Sequence, residues 1–317
     1  MSDHEEQLPL FDEDDFDPNA SPSHAEALGS DTPLEASIPH FVKHMQYEGF
    51  AENTIKAFVS DLGLVGEYAG LEKPVGDFAT KDLQDFLHWL LHERGVPCSP
   101  KSYARRVTTL KVYFRWLYDA EVNPRDPADP IVHEPVSSPL PLILYDDEVD
   151  RLLGTTEVMY HAEPSDARPH LLVNLLLQAG IKKGETMALT PSSFDASDPD
   201  APFLWVRYDN PRMRYKERRI RLQPEIMPLL GDYLQQYEPE DKLFNCTARN
   251  LEYILRDVAQ AADIDKKVSF EVLRWTSAVL DFRHGMNTDR LREKMGLSRV
   301  SWRETGAKIA RLAERAL

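Results

Sequence analysis

The stretch from Ser269 to Trp275, which reads SFEVLRW, decides the fold of the C-terminal half of the chain. It opens an apolar helical run, because four bulky side chains recur at helical spacing and form one stripe. These are Val272, Trp275, Val279 and Phe282. Arg274 points away from this stripe, so it need not be part of the core. Further along come residues 295–298, which read MGLS, and then a last helical pattern.

This order of segments resembles the C-terminal half of the tyrosine recombinase (phage integrase) family. In that family a His-x-x-Arg pair opens the helix, a Leu-Gly-His follows, and a nucleophilic tyrosine lies beyond it. Here Arg274 matches the arginine, but Glu271 and Leu297 replace the two histidines. Gly306, nine residues beyond Leu297, stands where the tyrosine should be. The resemblance therefore implies a degenerate member without the oxygen nucleophile that transesterification needs.

A second part of the resemblance lies at residues 179–185, which read AGIKKGE. They align with the family's Thr-Gly-Leu-Arg-x-x-Glu segment, and Lys182 takes the place of the first catalytic arginine. A lysine keeps the positive charge but loses the planar, two-pronged geometry that holds a phosphate. The resemblance thus implies two catalytic remnants, Arg274 and Lys182. Ser298, Ser301 and Thr305 carry hydroxyls, but no base partner is visible for them.

The densest basic run of the chain lies between two predicted strands, residues 203–208 and residues 218–222. It holds six cations in ten residues and one acid, Glu217; the cations are Arg212, Arg214, Lys216, Arg218, Arg219 and Arg221. In the family this hairpin carries a lysine that acts as general acid, and Met213 stands at that position. We expect Arg212, Arg214, Lys216 and Arg218, together with Lys183, to contact DNA. The alternative is a solvated, salt-bridged hairpin.

The N-terminal half predicts four amphipathic helices between residues 36 and 121, with Thr80 as the N-cap of the third. It resembles the helical core-binding (SAM-like) domain of the same family. The fourth helical pattern adds a basic side to its apolar stripe, and the four cations are Lys101, Arg105, Arg106 and Lys111. Such a face is able to follow DNA phosphates. The alternative is an ordinary solvated helix face.

Residues 1–35 form an acidic tail that we predict to be disordered, since its composition offers little apolar surface to bury. The whole chain has a net charge of −16, and these residues hold eleven acids and no Lys or Arg, so the remainder carries −5. Within the tail, residues 7–11 read QLPLF and resemble the peptide with which bacterial proteins bind the replisome's sliding clamp. Gln7, Leu8, Leu10 and Phe11 form this protein-binding motif. The alternatives are a chance match and a tail that occupies a basic groove of its own chain.

A linker is predicted at residues 122–143, because it contains six prolines and such stretches are extended and semi-rigid. The second domain then covers residues 144–317. The two cysteines, Cys98 and Cys246, form no metal or redox motif. We therefore predict no metal, no cofactor and a reducing cytoplasmic location. No apolar run is long enough to span a membrane.

The fold class is accordingly mainly α with a small β-sheet: a helical core-binding domain followed by an α+β domain like that of the tyrosine recombinases. The leading hypothesis is a double-stranded-DNA-binding protein that does not cleave strands and that acts in or regulates DNA recombination or integration. Self-association and an active recombinase are further candidate partners. The two other hypotheses are an active recombinase with unorthodox residues and an interaction scaffold that no longer binds DNA.

Overall fold

The computed structural model describes residue 25, residues 27–132 and residues 139–315, and these residues divide into two compact units. The first unit ends at Pro139 and the second begins at Leu140. The first contains α1 (Leu34–Tyr47), α2 (Glu52–Ala69), α3 (Thr80–His92) and α4 (Pro100–Asp119). The second contains α5 (Asp146–His161), α6 (Ala167–Ala179), α7 (Lys183–Ala188), β1 (Phe194–Asp195), β2 (Phe203–Val206), β3 (Arg218–Arg221), α8 (Ile226–Tyr237), α9 (Ala248–Ala261), α10 (Phe270–Arg283), α11 (Thr288–Lys294) and α12 (Arg299–Arg315). The predicted class, mainly helical with a small sheet, is confirmed.

The first unit is a helical bundle around one apolar core. Phe41 of α1, Leu62 of α2, Phe86 of α3 and Phe114 of α4 are all buried in it. Ser99 caps α4 by accepting a hydrogen bond from the backbone of the next turn. At α3 the N-cap is Ala79 rather than the predicted Thr80, whose hydroxyl donates to the carbonyl of Pro127.

The ordered bundle begins earlier than the sequence analysis placed it. Leu34, assigned to the disordered tail, starts α1 and is fully buried. Just before it, the backbone of residues 30–35 exchanges hydrogen bonds with residues 71–76. These bonds satisfy the backbone there, so the acidic composition of this part does not prevent its ordering. The motif residues Gln7, Leu8, Leu10 and Phe11 lie outside the described residues.

The predicted linker is partly packed rather than extended. Val122, Ala128 and Ile131 are buried in the core of the first unit, although prolines separate them. At the other end, Ile143 and Leu144 are buried within the second unit. Residues 133–138 lie outside the described part of the chain. Proline-rich composition alone therefore overestimated the length of the free connection.

The second unit is organised around α6, which is apolar on most of its surface. It packs against α5, α8 and α10, and Leu172, Val173 and Leu176 are fully buried. No helix among the residues with a described position is long and apolar enough to cross a bilayer.

The sheet is antiparallel with the order β1-β2-β3, and it covers one side of this core. Leu204 lies opposite Ile220 and both point inward, whereas Trp205 lies opposite Arg219 on the other face. Arg218 lies opposite Val206 and therefore belongs to the inward face as well. A 3-10 helix, Pro211–Lys216, connects the two strands.

Candidate functional site

A buried ion pair between Glu185 and Arg218 forms the centre of the site. Arg218 Nη1 and Nη2 donate to the two carboxylate oxygens of Glu185 at 3.0 and 2.9 Å. Nε of the same arginine donates to the carbonyl of Lys294, and Nη1 donates also to the carbonyl of Lys216. The side chains of Arg218 and Glu185 are only 8% and 2% exposed. This placement corrects the sequence-based assignment of Arg218 to the DNA-contacting set, since its donors are used within the protein.

Glu185 is held by the start of α7 as well as by the arginine. It accepts a hydrogen bond from the backbone N–H of Lys182 at 2.8 Å, which forms a capping box. The hydroxyl of Tyr208 also donates to it. Burial raises the pKa of Glu185, but the hydrogen bonds and charge of Arg218 outweigh burial and lower the pKa to about 2. The carboxylate is therefore ionised at neutral pH.

Arg274 lies beside this pair and is buried, although the apolar stripe of α10 did not require it to be part of the core. It is 8% exposed, and it donates to the carbonyl of Gly180 at 2.5 Å and to that of Met295 at 2.6 Å. Burial lowers its pKa to about 10, so it remains protonated at neutral pH. Ser269 caps α10 and fixes the position of the arginine one turn later. Arg274 thus connects the segment before Lys182 to the turn before α12.

Lys182 and Lys216 complete what we call the cationic cluster: Lys182, Glu185, Lys216, Arg218 and Arg274. Burial lowers the pKa of the Lys182 ammonium, and the charges of the other three cations lower it further. The four positive groups are therefore close enough to act on one another, and Glu185 compensates only one of them. Neither lysine ammonium has an ion-pair partner among the described residues.

Gly306 stands at the position that the resemblance aligns with the family's nucleophilic tyrosine. Gly306 lies inside the continuous helix α12, and a Cβ atom there would approach the ring of Trp302 to 3.0 Å. The hydroxyls of Ser298 and Ser301 bond to each other at 3.0 Å on an exposed surface. Tyr208 contacts the cluster through its hydrogen bond to Glu185, and burial together with Glu185 raises its pKa to about 12. A phenol held protonated in this way is a poor nucleophile.

Glu271, at the position of the family's first histidine, is exposed on the first turn of α10. Its negative charge acts weakly on Arg274, and it forms no ion pair among the residues described. The electrostatic field of this carboxylate opposes that of the cationic cluster. It does not supply the hydrogen-bond donor that the histidine would provide.

The 3-10 helix between β2 and β3 presents the remaining predicted cations of the hairpin. Arg212 and Arg214 are exposed, and Lys216 is half-buried. Asn210 caps this turn by accepting from the backbone of Arg212 at 3.0 Å. None of these three cations has an ion pair within the described part of the protein. Tyr215, 70% exposed, stands beside the ammonium of Lys216.

Most of the basic side of α4 is turned onto a buried acid. Arg105 donates to the carboxylate of Asp61 at 2.5 Å, and Arg106 lies 3.4 Å from its other oxygen. Arg106 is largely buried, whereas Arg105 keeps 38% of its side chain exposed. Burial raises the pKa of Asp61, and the positive charges of the two arginines oppose this rise. Their first role is thus to neutralise a charge inside the bundle.

The other two predicted cations of α4 and the one on α7 differ in exposure. Lys101 is exposed, and Lys111 donates to the carbonyl of Asp129 at 3.2 Å. Lys183 is exposed and forms an ion pair with Glu252 at 2.9 Å.

Sequence reasoning missed a basic and aromatic row on the exposed side of α9. Arg249, Tyr253 and Arg256 are spaced as neighbours along one helix face. Arg249 Nε donates to the Tyr253 hydroxyl at 2.7 Å, and the guanidinium of Arg256 lies 4.7 Å from the ring. The signal was the i, i+4, i+7 spacing of these residues outside the apolar stripe. No group of three or more metal-binding side chains is present among the described residues.

Comparison with known proteins places these features in a family context. Residues 38–123 match the model of the phage integrase N-terminal SAM-like domain. A tyrosine recombinase of Thermosipho africanus is 25% identical over 258 residues, which cover 79% of this chain and 87% of that protein. Tyrosine recombinase XerD of Listeria monocytogenes is 23% identical over 278 residues, covering 83% and 90%.

Two solved structures show the same fold. The XerH site-specific recombinase bound to palindromic difH substrate, in a post-cleavage complex, has a TM-score of 0.68 and 16% identity, covering 89% of this chain and 84% of that one. A λ integrase dimer bound to a COC′ core site has a TM-score of 0.67 and 15% identity, covering 87% and 78%.

Proposed function

Because the chain belongs to the tyrosine recombinase (phage integrase) family, we propose that it binds double-stranded DNA without cleaving it and so acts in or regulates DNA recombination. In the two solved structures just described the related fold is bound to DNA. The chain's own residues supply the argument for the same ligand here.

The observation that carries the proposal is the uncompensated charge of the cationic cluster. Four cations surround one carboxylate, Glu185, which leaves a surplus of three positive charges in a partly buried place. A phosphate is the ligand that balances such a surplus, and the phosphate backbone supplies it repeatedly. Of the four, Lys182 and Lys216 have ammonium groups free to move onto it.

The proposed duplex contact extends from the cluster onto exposed cations. Arg212 and Arg214 on the 3-10 turn are unpaired among described residues, and Lys183 lies next to the cluster residue Lys182. The row of Arg249 and Arg256 on α9 adds two more guanidinium groups. Guanidinium groups on an exposed helix are suited to phosphates and to guanine edges. In the first unit, Lys101, Arg105, Arg106 and Lys111 remain a secondary proposed contact.

The proposed absence of cleavage is supported by the residue at the nucleophile position rather than by the phosphate site. Gly306 has no side chain, and the packing of Trp302 against it leaves no room for one without a shift. Tyr208 is held protonated by Glu185. We therefore propose a protein that retains a phosphate-binding site, the cationic cluster, which we call the phosphate grip. It lacks the group that attacks the phosphorus.

A duplex-binding assay across a salt series tests the grip. Lys182→Gln with Lys216→Gln should weaken binding about tenfold or more and reduce the slope of log affinity against log salt by about two, since each lost phosphate contact contributes about 0.9. The matched control is Lys81→Gln with Lys242→Gln, which removes two exposed lysines elsewhere. Equal binding by the two double variants would overturn the proposed site.

A nicked suicide duplex tests the absence of cleavage. The protein should yield no covalent protein–DNA adduct after denaturation, under conditions in which an active recombinase yields one. An adduct that maps to Tyr208 or to a hydroxyl of α12 would establish the alternative, an active recombinase with unorthodox residues.

Two partners remain proposals that rest on sequence. Leu10→Ala with Phe11→Ala should abolish capture by the sliding clamp if the tail motif is functional, and unchanged capture would reject it. Self-association, or association with an active recombinase, would appear as a mass above that of the monomer in light scattering, alone or in a mixture. If the chain neither binds duplex DNA nor assembles on it, the remaining hypothesis is an interaction scaffold that no longer binds DNA.

A further inference from the structure

The outward face of the sheet carries two aromatic rings and three arginines. Strand alternation turns Phe203 and Trp205 of β2 outward, and it does the same for Arg219 and Arg221 of β3. Arg207, just after β2, is exposed beside them. We call these five residues the sheet platform. Its rings are half-buried and its arginines are exposed, so it is a surface rather than a part of the core.

Two of the three arginines of the platform, Arg207 and Arg219, lie over its rings. The guanidinium of Arg219 is 4.2 Å from the ring centre of Phe203 and 4.9 Å from that of Trp205. Arg207 lies 5.2 Å from the Trp205 ring. Each contact is a cation–π interaction. The result is an exposed surface that combines two aromatic rings with positive charge.

The charge of the platform is mostly uncompensated. Asp195 approaches Arg219 at 3.4 Å, with both side chains partly exposed. Arg207 and Arg221 form no ion pair with any residue that the structure describes. The platform also continues into the exposed cations Arg212 and Arg214, because the segment that carries them joins β2 to β3. This surplus of positive charge favours a polyanionic ligand.

We propose that the sheet platform binds a short single-stranded nucleic acid, at a site separate from the cationic cluster. Unpaired bases stack on aromatic rings and on guanidinium planes, which a duplex does not permit because its base faces are covered. The phosphates of the same strand pair with Arg207 and Arg221. Arg218 points to the opposite face of the sheet, so the platform and the cluster lie on different sides of it.

An acidic peptide is the other polyanion that an arginine-rich aromatic surface attracts, and arginine and tryptophan are enriched in protein interfaces. The platform favours a nucleic acid because it presents two aromatic rings beside its arginines, so that bases and phosphates both find partners there, whereas a carboxylate peptide uses only the cations. The test has an arm for each ligand.

The first experiment measures the fluorescence anisotropy of a labelled oligothymidine of about 12 nucleotides, within the usual site sizes of such surfaces. Arg207→Gln with Arg221→Gln should weaken binding about tenfold, while binding to a duplex changes less than about twofold. The matched control is Arg311→Gln with Arg315→Gln, two exposed arginines of α12. Equal losses in the two double variants would overturn the proposal.

Competition and cross-linking complete the test. Polyglutamate of the same charge should displace the oligothymidine far less well than unlabelled oligothymidine does; equal displacement would identify an acidic-peptide surface and overturn the proposal. An oligonucleotide that carries 5-iodouracil should cross-link to the peptide containing Phe203 and Trp205. Cross-links confined to α9 or to the 3-10 turn would likewise overturn it.

Discussion

At residue scale, Lys182 shows what the chain keeps and what it loses relative to the resemblance. Its ammonium supplies the positive charge at the family's arginine position, but it is a point charge on a flexible stem. Its pKa is lowered by burial and by three neighbouring cations. An arginine in the same place would stay charged at any physiological pH. The substitution thus makes part of the phosphate grip titratable.

Duplex affinity should therefore fall as the pH rises from neutral towards the ordinary lysine pKa, by up to about tenfold, because burial and the neighbouring cations lower the pKa of Lys182. Lys182→Arg should bind more evenly over this range, since arginine keeps its charge. Lys183→Arg is the matched control, because Lys183 is exposed and paired with Glu252. The measurement is anisotropy at constant ionic strength. A Lys182→Arg variant with the wild-type pH dependence would contradict this assignment.

The ion pair of Glu185 and Arg218 predicts an effect on stability with a definite sign. Glu185→Gln leaves the charge of Arg218 buried without its partner, so the free energy of unfolding at pH 7 should fall by about 3 kcal/mol. The folded pKa of Glu185 is about 2, below its ordinary value of 4.5. Its contribution is therefore present above about pH 4.5 and is lost as the pH falls towards 2.

Urea denaturation at several pH values measures this. The difference between wild type and Glu185→Gln should shrink between about pH 4.5 and about pH 2. The control Glu304→Gln, which removes an exposed acid, should change the stability little at any pH. A difference that stays constant down to pH 2 would contradict the depressed pKa.

At the scale of elements, apolar periodicity was sufficient to predict the helices but not every boundary. At α3, for example, the N-cap is Ala79 rather than the predicted Thr80. β1 has only two residues and shows no alternation that a sequence could reveal. The inward position of Arg218, in contrast, was available from the sequence. It stands two residues before Ile220, so strand alternation places both on the buried face.

Two helix glycines, Gly154 in α5 and Gly306 in α12, should respond differently to replacement by alanine. Gly154→Ala in α5 should raise the free energy of unfolding by about 0.5–1 kcal/mol, since a Cβ there meets no atom within 4 Å and alanine favours helix. Gly306→Ala should gain nothing, because its Cβ would press on Trp302. Thermal or urea unfolding of the two variants checks this. An equal increase in the free energy of unfolding for the two variants would show that the Trp302 ring moves aside without cost. Gly306→Tyr would then deserve the covalent-adduct assay.

At the scale of the whole molecule, the sequence predicted which kinds of element occur. It could not predict which charged side chains pair with one another inside the protein. Arg105 and Arg106 read as a basic face, yet they neutralise Asp61, some 44 residues away from Arg105 in the chain. Glu185 and Arg218 are 33 residues apart. Such pairings depend on tertiary packing, and no local pattern reports them. Arg212 on the 3-10 turn is exposed and has no ion pair among the described residues, and its DNA contact stays a prediction.

The net charge of the whole chain gives a further prediction. Residues 1–24 hold eight acids and no Lys or Arg, so their removal halves the net charge of −16. Duplex affinity should then rise severalfold at low salt, and the gain should shrink as salt screens the charges. Replacing these residues by a neutral Gly/Ser segment of equal length should have the same effect as removing them. Unchanged affinity after both alterations would show that the acids play no part in binding.

Arg218 joins three segments that are distant in sequence: α7 through Glu185, the turn at Lys216 and the end of α11 through Lys294. Gly296 closes over it so tightly that even a methyl group would displace its guanidinium. A shift of the C-terminal helices would therefore act on the cationic cluster through Arg218, and also through Arg274, which donates to the carbonyl of Met295. A partner that binds α12 would, by this route, change the affinity of the chain for DNA.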